Sequence, residues 1–336
     1  MSEPLVAVAI PTLSAGPKLA KCLASLEKQT LTDFEVYVVD NSGWKVARET
    51  ASQWRGVAVI ENTANAGFGR AVNQVCRGSR SRYLATLNDD AVADPGWLAA
   101  LVGELEAHPE AGMCASQVRL GGGSPLDSAG MLISGDASSK QRGHGEPPQK
   151  YGEAEEVLLP SGCAALYRRE MLDQIGLFDE SFFLYCEDTD LGLRGRWAGW
   201  RCRYAPAALV EHDYSQTAGA ASPLKAYYVE RNRIFVLLKN FPLRLLLCAP
   251  AATLARYFWH FVAAVRGEGS AGRYRENGGM LEMAYLTARA HAALLKYGWR
   301  LAGERRRIRR TARISPRDFA QLVERHFISP REVGSL

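Results

Sequence analysis

The stretch that most constrains the fold is an apolar run, Tyr83–Leu87, which ends abruptly in Asn88, Asp89 and Asp90. A short apolar run followed by clustered acids is typical of a buried strand that carries carboxylates to a sheet edge. In open α/β sheets the ligand crevice lies beyond the carboxyl ends of the strands. Adjacent aspartates repel each other, so a cation is their natural partner, and such oxygen ligands beside a diphosphate suit Mg²⁺ or Mn²⁺. The alternative is a solvated turn before the helix predicted near Pro95.

Three further predicted strands also end in polar residues. The apolar runs are Leu5–Ile10, Phe34–Val39 and Val57–Ile60, and the segments between them have the apolar spacing of helices. The polar residues that follow these runs are Pro11-Thr12, Asp40-Asn41-Ser42 and the segment from Asn62 to Arg70. Strands that alternate with helices at this pitch predict an α/β fold with a doubly wound, mostly parallel sheet and helices on both faces. The polar clusters then share one sheet edge.

The length of 336 residues is enough for two domains, and 47% hydrophobic residues allow a fully buried sheet core. We predict a catalytic α/β domain over residues 1–221 and a helical, basic region over residues 222–336. Residues 119–156 are rich in glycine, serine and proline, and we expect them to form an insertion that borders the site.

The cysteines and the charge distribution suggest a compartment and a class of partner. Seven scattered cysteines, with no CxxC pair, favour a reduced, cytosolic location, and no signal peptide is expected at the start of the sequence. The formal net charge is +5, and six arginines against one acid occupy residues 304–313. That block predicts contact with anionic lipid or with nucleic acid.

Residues 243–265 form a strongly apolar segment that is long enough to cross a bilayer. However, Arg244, Arg256, His260 and Pro250 lie inside it, and charges are costly within a membrane. We therefore favour an interfacial helical pair with its aromatic residues at the level of the lipid headgroups. A buried helical hairpin and a true transmembrane span are the alternatives.

Six motifs in this order carry a resemblance to a known family. They are Val6 to Thr12, Val38 to Gly43, Asn65 to Asn73, Leu87 to Asp90, Ser161-Gly162 and Leu184 to Leu191. The set resembles family 2 glycosyltransferases of the GT-A fold, and most closely the bacterial rhamnosyltransferases. The resemblance covers about residues 5–240, whereas the C-terminal third is similar only in being helical, basic and membrane-inclined.

The resemblance implies a divalent metal, Mn²⁺ or Mg²⁺, and a nucleotide-diphosphate sugar. Asp90 matches the metal-binding acid of the family's Asp-x-Asp motif, and His212 matches the family histidine that joins the metal. Asn88 stands in place of the first aspartate, so it keeps an oxygen donor but loses a charge. Asp89 is interpreted as an additional outer acid, although direct ligation stays open. For His212 the alternative is a histidine bonded to a carbonyl group.

The resemblance also assigns residues to the donor and to the acceptor. The residues expected at the nucleotide sugar are Pro11, Thr12, Asp40, Asn41, Ser42, Asn65, Gly67, Phe68, Gly69, Arg70, Asn73, Asn88, Asp89, Ser161, Gly162 and Arg231. Asp40 corresponds to the carboxylate that accepts the N3–H of uracil or thymine. Asp188 is expected to be the general base, with Glu187 as its orienter or as a contact to the acceptor. Asp190 is expected to cap the following helix, and turn, cap or surface roles remain the alternatives for the others.

These observations predict an inverting glycosyltransferase that moves rhamnose from dTDP-rhamnose to a lipid-linked or cell-envelope glycan. A UDP-sugar donor is the alternative within the same fold. We expect a peripheral enzyme at the inner face of the cell membrane, without a nucleic-acid partner, in which the C-terminal helices can pair subunits. A nucleotidyltransferase would carry a basic glycine-rich loop after the first strand, which Pro11 to Pro17 lacks. A non-catalytic membrane-associated module would leave the acids at the strand ends unexplained.

Overall fold

The computed structural model describes residues 3–122, 125–213, 222–267 and 279–335. The chain forms two compact units, each assembled from separated segments. The first unit comprises Met1–Met131, Gln141–Phe183 and Trp200–Tyr214, and the second comprises Leu132–Lys140, Leu184–Gly199 and Ser215–Leu336. The division predicted between residues 221 and 222 stays a prediction, because residues 214–221 lie outside the described ranges.

The first unit is built on a ten-stranded mixed sheet. Its strands are β1 (Val6–Thr12), β2 (Phe34–Asp40), β3 (Val57–Glu61), β4 (Tyr83–Leu87), β5 (Ala91–Ala93), β6 (Ala111–Leu120), β7 (Leu126–Ser128), β10 (Glu155–Val157), β11 (Ala164–Arg168) and β12 (Arg201–His212). A separate two-stranded sheet pairs β8 (Met131–Ile133) with β9 (Ser139–Gln141). The helices of the first unit are α1 (Pro17–Leu26), α2 (Ala47–Ala51), α3 (Phe68–Gly78), α4 (Trp97–Ala107) and α5 (Arg169–Ile175).

The strand order confirms the predicted α/β class. The main path of the sheet runs β10-β12-β6-β11-β4-β1-β2-β3, with β5 beside β12 and β7 beside β6. Strands β4, β1, β2 and β3 are parallel neighbours, as are β6 and β12. Strand β11 runs antiparallel between β4 and β6, so the sheet is mixed rather than purely parallel. Residues 201–212 form one irregular strand, β12, with a register shift between Ala205 and Leu209.

Both faces of the sheet are buried. Val6, Val8 and Ile10 pack into a hydrophobic core that also contains residues of α1, α2 and α4. Ala7 and Ala9 point to the opposite face because side chains alternate along a strand, and they are also fully buried. On this account the polar residues of the first unit that can meet a ligand lie at the strand ends rather than on the faces.

The second unit is helical. Its helices are α6 (Glu187–Trp197), α7 (Pro223–Asn240), α8 (Leu243–Arg266), α9 (Met280–Arg310), α10 (Pro316–Arg325) and α11 (Pro330–Ser335). The expected helical pair over residues 243–265 is wrong: α8 is one continuous helix, although Pro250 in its interior removes one backbone donor. Helix α9 runs to Arg310, so most of the arginine block is helical. The loop predicted over residues 267–279 lies almost wholly outside the described residues.

Candidate functional site

The predicted metal ligands Asp90 and His212 are neighbours. Asp90 lies between β4 and β5, and His212 is the last residue of β12. The antiparallel pairing of β5 with β12 places His212 opposite Ala91, next to Asp90. His212 Nε2 lies 3.2 Å from Asp90 Oδ1, and both side chains are at least 90% buried. Residues far apart in the sequence thus meet because one short strand fixes their register.

A second carboxylate holds His212 from its other side. Asp127 Oδ2 lies 2.9 Å from His212 Nδ1, and His144 Nδ1 lies 3.2 Å from Asp127 Oδ1. A carboxylate behind a histidine fixes its tautomer and ring orientation, as is usual for histidines that bind metals. The sequence interpretation missed Asp127 and His144. Both lie in the predicted insertion. The expectation that this insertion borders the site is the one sequence feature that could have indicated them.

Asp89 points to different partners. Thr12 Oγ1 at the end of β1 lies 2.5 Å from Asp89 Oδ2. Burial raises the pKa of Asp89 above its ordinary value, the hydrogen bond from Thr12 opposes that shift, and the charge of Asp90 adds to it. Thr12 and Asp89 therefore form a pair at the ends of β1 and β4, while Asp90 belongs with His212.

The residues around Asp90 fit a divalent cation. Asp90 Oδ2 is buried and has no hydrogen-bond partner in the described part of the chain, and Asn88 Nδ2 lies 3.4 Å from His212 Nε2. No group of three or more histidine, cysteine, aspartate or glutamate side chains in the described ranges is arranged to hold a metal alone. Magnesium typically takes one or two carboxylates and completes its shell with substrate phosphates. Asp90 and His212 are thus suited to a cation that also binds a diphosphate.

The protonation of His212 follows from its surroundings. Burial alone would lower the pKa of His212, but Cys163, Asp127 and Asp90 raise it well above its ordinary value. Burial raises the pKa of the Cys163 thiol, whereas the hydrogen bonds with His144 and His212 outweigh burial and lower the pKa of the Asp127 carboxyl. A cation that binds Asp90 and His212 must therefore displace a proton.

Asp40 builds the loop that follows β2. Asp40 Oδ1 accepts hydrogen bonds from the backbone and hydroxyl of Ser42, and Oδ2 accepts one from the Ala47 nitrogen at 2.8 Å. Asn41 Nδ2 donates to the carbonyl of Gly67 at 3.3 Å. A carboxylate has about four acceptor positions, so a contact with a base remains compatible with these bonds. The predicted base contact of Asp40 stays a prediction.

Gly67 requires its glycine. Its φ is +82°, and an added Cβ would lie 2.3 Å from the carbonyl oxygen of Phe183. The Phe68 nitrogen donates to that same oxygen at 2.9 Å, and Asn65 Oδ1 accepts from the Gly67 nitrogen. The turn therefore lets the chain of Phe183 approach the start of α3, which is a structural reason for the glycine beside any contact with a nucleotide.

The remaining residues of this segment have mixed surroundings. Gly69 is buried, and Asn73 exchanges hydrogen bonds with the backbone of Phe178 at 2.9 and 3.0 Å. Arg70 keeps 59% of its side chain exposed and lies 3.9 Å from Glu180. Asn73 thus fastens a loop, whereas Arg70 is accessible to a ligand.

The predicted motif at Ser161 and Gly162 lies just before β11. Ser161 Oγ accepts from the Cys163 nitrogen at 3.4 Å, and the Asn88 nitrogen donates to the Cys163 carbonyl at 2.9 Å. Pro11 lies one residue before Thr12 in β1 and is half-buried. These residues surround the same strand ends, and their contacts with a sugar or nucleotide stay predictions.

The predicted acceptor residues open α6 in the second unit. Glu187 is buried, its Oε2 has no hydrogen-bond partner among the described residues, and Asp188 remains partly exposed. Burial, and then the negative charge of Asp188, raise the pKa of Glu187 to about 8. The Thr189 nitrogen donates to Asp188 Oδ1 at 2.6 Å. Glu187 is therefore protonated at neutral pH, and Asp188 is the accessible carboxylate of the pair.

The loop before α6 is held in an uncommon conformation. Tyr185 and Cys186 have φ values of +69° and +65°, which side chains other than glycine rarely adopt. Asn232 Nδ2 donates to the carbonyls of Leu184 and Tyr185 at 2.8 and 2.7 Å. The fully buried Asn232 thus fixes the backbone that presents Glu187 and Asp188.

Two polar residues of this unit have structural contacts. The expectation that Asp190 caps α6 is wrong, because Cys186 is the N-cap and Asp190 lies inside the helix. Asp190 accepts hydrogen bonds from Arg194, Lys239 and Asn240, each at 2.9 Å. Arg231 is buried with its guanidinium 4.6 Å from the Tyr228 ring, and its Nε donates to Asn232. Its predicted contact with phosphate stays a prediction.

Comparisons with known proteins identify sequence relatives of this chain. The profile of Glycosyl transferase family 2 matches residues 7–176. The N-acetylglucosaminyl-diphospho-decaprenol L-rhamnosyltransferase of Mycobacterium tuberculosis is 31% identical over 254 residues, which are 68% of this chain and 82% of that protein. The uncharacterized glycosyltransferase YwdF of Bacillus subtilis is 25% identical over 66% of this chain and 81% of its own length.

Solved structures show the same fold at low sequence identity. GalNAc-T7 with UDP, GalNAc and Mn²⁺ is 15% identical with a TM-score of 0.57, over 88% of this chain and 58% of that chain. S. aureus TarS in complex with UDP is 17% identical with a TM-score of 0.52, over 91% of this chain and 90% of its own. These likenesses concern the fold, which is of the GT-A type. The protein therefore belongs to glycosyl transferase family 2 and is rhamnosyltransferase-like.

Proposed function

We propose that this protein transfers rhamnose from dTDP-rhamnose, with inversion, to a lipid-linked sugar of the cell envelope. The observation that carries the proposal is the buried pair of Asp90 and His212, oriented by Asp127 and completed by an oxygen without a hydrogen-bond partner. The related rhamnosyltransferase, whose name places its acceptor on a decaprenyl diphosphate, supports this class of donor and acceptor.

The chemistry assigns distinct roles to the residues. Asp90 and His212 would hold a divalent cation, which neutralises the charge that develops on the departing diphosphate. Asp188 takes the proton of the acceptor hydroxyl as the hydroxyl oxygen bonds to the anomeric carbon and the bond to the diphosphate breaks. Glu187, protonated at neutral pH, leaves Asp188 as the base. The role of Asp188 rests on its sequence motif and on its exposure within its own unit.

A UDP-sugar is the alternative donor. The structures of GalNAc-T7 and TarS contain UDP, and uracil and thymine offer the same N3–H group to a carboxylate such as Asp40. The methyl group of thymine distinguishes the two bases.

We also propose that the second unit places the protein on the inner face of the membrane. Large apolar side chains are exposed along one stripe of α8, namely Leu243, Leu247, Leu254, Phe258, Phe261 and Val265. A second stripe on α9 exposes Leu281, Tyr285, Leu295 and Trp299, followed by arginines. In the described ranges α8 is the one helix with the length and composition of a membrane span, and only 11% of its most apolar window is buried. Such stripes flanked by basic residues suit an interfacial position.

Thermal stabilisation of the purified full chain by dTDP and UDP, with and without Mn²⁺ or Mg²⁺, tests the donor site. A ligand that binds the native state raises the apparent stability by mass action. We expect a metal-dependent shift that is larger with dTDP and is lost in Asp90→Ala, followed by transfer of rhamnose to a prenyl-linked acceptor. A protein that responds to no nucleotide with either metal would refute the proposal.

A further inference from the structure

A cavity of about 640 Å³ lies within the second unit. It is open to solvent on one side and is lined by α7, α8 and α9, by Val333 of α11 and by residues 138–140 of the hairpin that ends in β9. The cavity contains no residue of the proposed metal pair, so it is a site separate from Asp90 and His212. Its lining divides into a basic part and an apolar part.

The basic part carries more positive than negative charge. The charged residues that line it are Lys140, Lys225, Arg233, Arg256 and Glu230. Behind them Asp136 Oδ2 lies 2.6 Å from Arg256 Nε, so this part of the cavity holds four cations and two carboxylates. His260 adds no positive charge at neutral pH, because burial and the nearby Arg256 and Lys140 lower its pKa to about 4. A lining in which cations outnumber carboxylates suits an anionic ligand.

Lys140 is the clearest source of the excess charge. Arg256 and Arg233 already have acidic partners, since Glu230 lies 2.8 Å from Arg256 and Asp136 lies 3.6 Å from Arg233. Lys140 has neither an acidic partner nor a hydrogen-bond acceptor among the described residues. Burial, together with the positive charges of Lys225 and Arg256, lowers the pKa of Lys140 to about 8. Lys140 is half-buried, and an ammonium group that is partly removed from water without an anion is costly, so the site favours an anionic ligand.

The apolar part of the cavity is formed by α8 and α9. Phe261 and Ala264 come from α8, whereas Met283, Ala284 and Ala288 come from α9. These walls are mostly apolar, with the hydroxyl of Thr287 among them, so they suit a molecule that is anionic at one end and largely hydrocarbon at the other. A nucleotide sugar does not have that character, whereas a prenyl diphosphate does.

The basic end of the cavity adjoins the loop that presents Asp188. Cys186, the N-cap of α6, lines the cavity, and Glu187 and Asp188 follow it directly. Ser139 also lines the cavity, and its Oγ lies 2.9 Å from Thr189 Oγ1, next to Asp188. We propose that this cavity binds the diphosphate and the first isoprenoid units of the lipid-linked acceptor, with Lys140 and Lys225 at the phosphates. This inference rests on the proposed function and names the place where its acceptor binds.

Binding of farnesyl diphosphate to the full chain in detergent tests the inference. The comparison ligands are farnesol, inorganic diphosphate and phosphatidylglycerol, and the variants are Lys140→Ala, Ala284→Trp and the exposed control Lys150→Ala. We expect farnesyl diphosphate to bind at least tenfold more tightly than either farnesol or inorganic diphosphate. Lys140→Ala should weaken it about tenfold, Ala284→Trp should weaken it by narrowing the apolar part, and Lys150→Ala should leave it unchanged.

The outcomes separate the two proposals. If dTDP still stabilises Lys140→Ala, the variant is folded and its donor site is intact, so an unchanged affinity for farnesyl diphosphate overturns this inference alone. If phosphatidylglycerol displaces farnesyl diphosphate at equal concentration, the cavity is a general lipid site and the inference also fails. If the unmodified protein binds neither dTDP nor UDP, that result refutes the proposed function instead. A raised KM for the lipid acceptor in Lys140→Ala, with the KM for the nucleotide sugar unchanged, would support both.

Discussion

Each unit buries a cluster of charged side chains, and the two clusters are completed differently. In the first unit, Asp90, His212 and Asp127 form a chain in which one oxygen of Asp90 has no hydrogen-bond partner among the described residues. In the second unit, Glu230 receives hydrogen bonds from Arg233, Arg256 and Tyr257.

The complete set of hydrogen bonds around Glu230 determines its pKa. Burial opposes ionisation of Glu230, but Arg256 and Arg233 lower its pKa to about 2. A fully paired buried carboxylate holds a structure together, because removing one partner leaves an uncompensated charge. An incompletely paired carboxylate beside a histidine is instead available to a ligand. The comparison teaches that the state of the hydrogen bonds, rather than burial, separates a binding cluster from a structural one.

The largest effect should follow from removing the Asp90 carboxylate. We expect Asp90→Ala to reduce transfer roughly 10³-fold, because stabilisation of the leaving diphosphate by a metal contributes several kcal/mol. Initial rates with Mn²⁺, and with the metal removed by a chelator, measure this. The exposed Asp33→Ala serves as the control. If both variants were equally active, Asp90 would have only a structural role, and the proposed difference between the two charged clusters would be wrong.

Substitutions in the cluster around Glu230 should lower the stability of the protein. We expect Glu230→Ala to lower the free energy of unfolding by about 3 kcal/mol, because two buried arginines lose a partner. Urea denaturation of the two proteins measures the difference. Lys150→Ala, which breaks a pair whose side chains are 63% and 44% exposed, should change stability by less than about 1 kcal/mol. An equal loss in both variants would show that the second cluster does not hold its unit together.

An intermediate effect is expected at Asp127. Asp127→Asn keeps the shape of the side chain but removes the charge that orients His212, so metal affinity should fall by about 10- to 100-fold. Titration of Mn²⁺ in the presence of dTDP measures that affinity. Unchanged affinity would mean that Asp127 only fills space in the insertion. His144 Nδ1 lies 3.2 Å from the other oxygen of Asp127, so His144→Gln tests whether that contact also matters for metal affinity.

The smallest effect concerns pH. The pKa of Glu187 is raised to about 8, so the native state keeps a proton that the unfolded chain releases near pH 4.5. Stability from this group is therefore complete at low pH and is lost as pH rises toward 8. In the parent protein this group should lower the free energy of unfolding by roughly 1 to 2 kcal/mol between pH 5 and pH 7. We expect Glu187→Gln to abolish that decrease. Chemical denaturation at these two pH values measures the decline, and parallel profiles for variant and parent would contradict the assignment.

Much of the first unit was predictable from local patterns. The apolar runs before Asp40 and Asp90 predicted β2 and β4, and the motif order predicted the family. The pairing of Asp90 with His212 was also anticipated, through the resemblance. Asp127 and His144 were missed because nothing in their flanking residues indicates that β7 carries Asp127 to the end of β12. The N-cap prediction for Asp190 failed because its partners Lys239 and Asn240 lie some fifty residues further along the chain.

The sequence by itself determined which segments become strands and helices and which chemical groups end the strands, because side-chain periodicity and turn residues act over a few positions. Only the tertiary structure decided which of those groups touch. It placed β11 antiparallel between β4 and β6, brought Asp127 behind His212, and gathered Lys140, Lys225 and Arg256 around one cavity. Pairing register, burial and charge compensation arise between residues far apart in the chain, so they depend on the packed fold rather than on any local pattern.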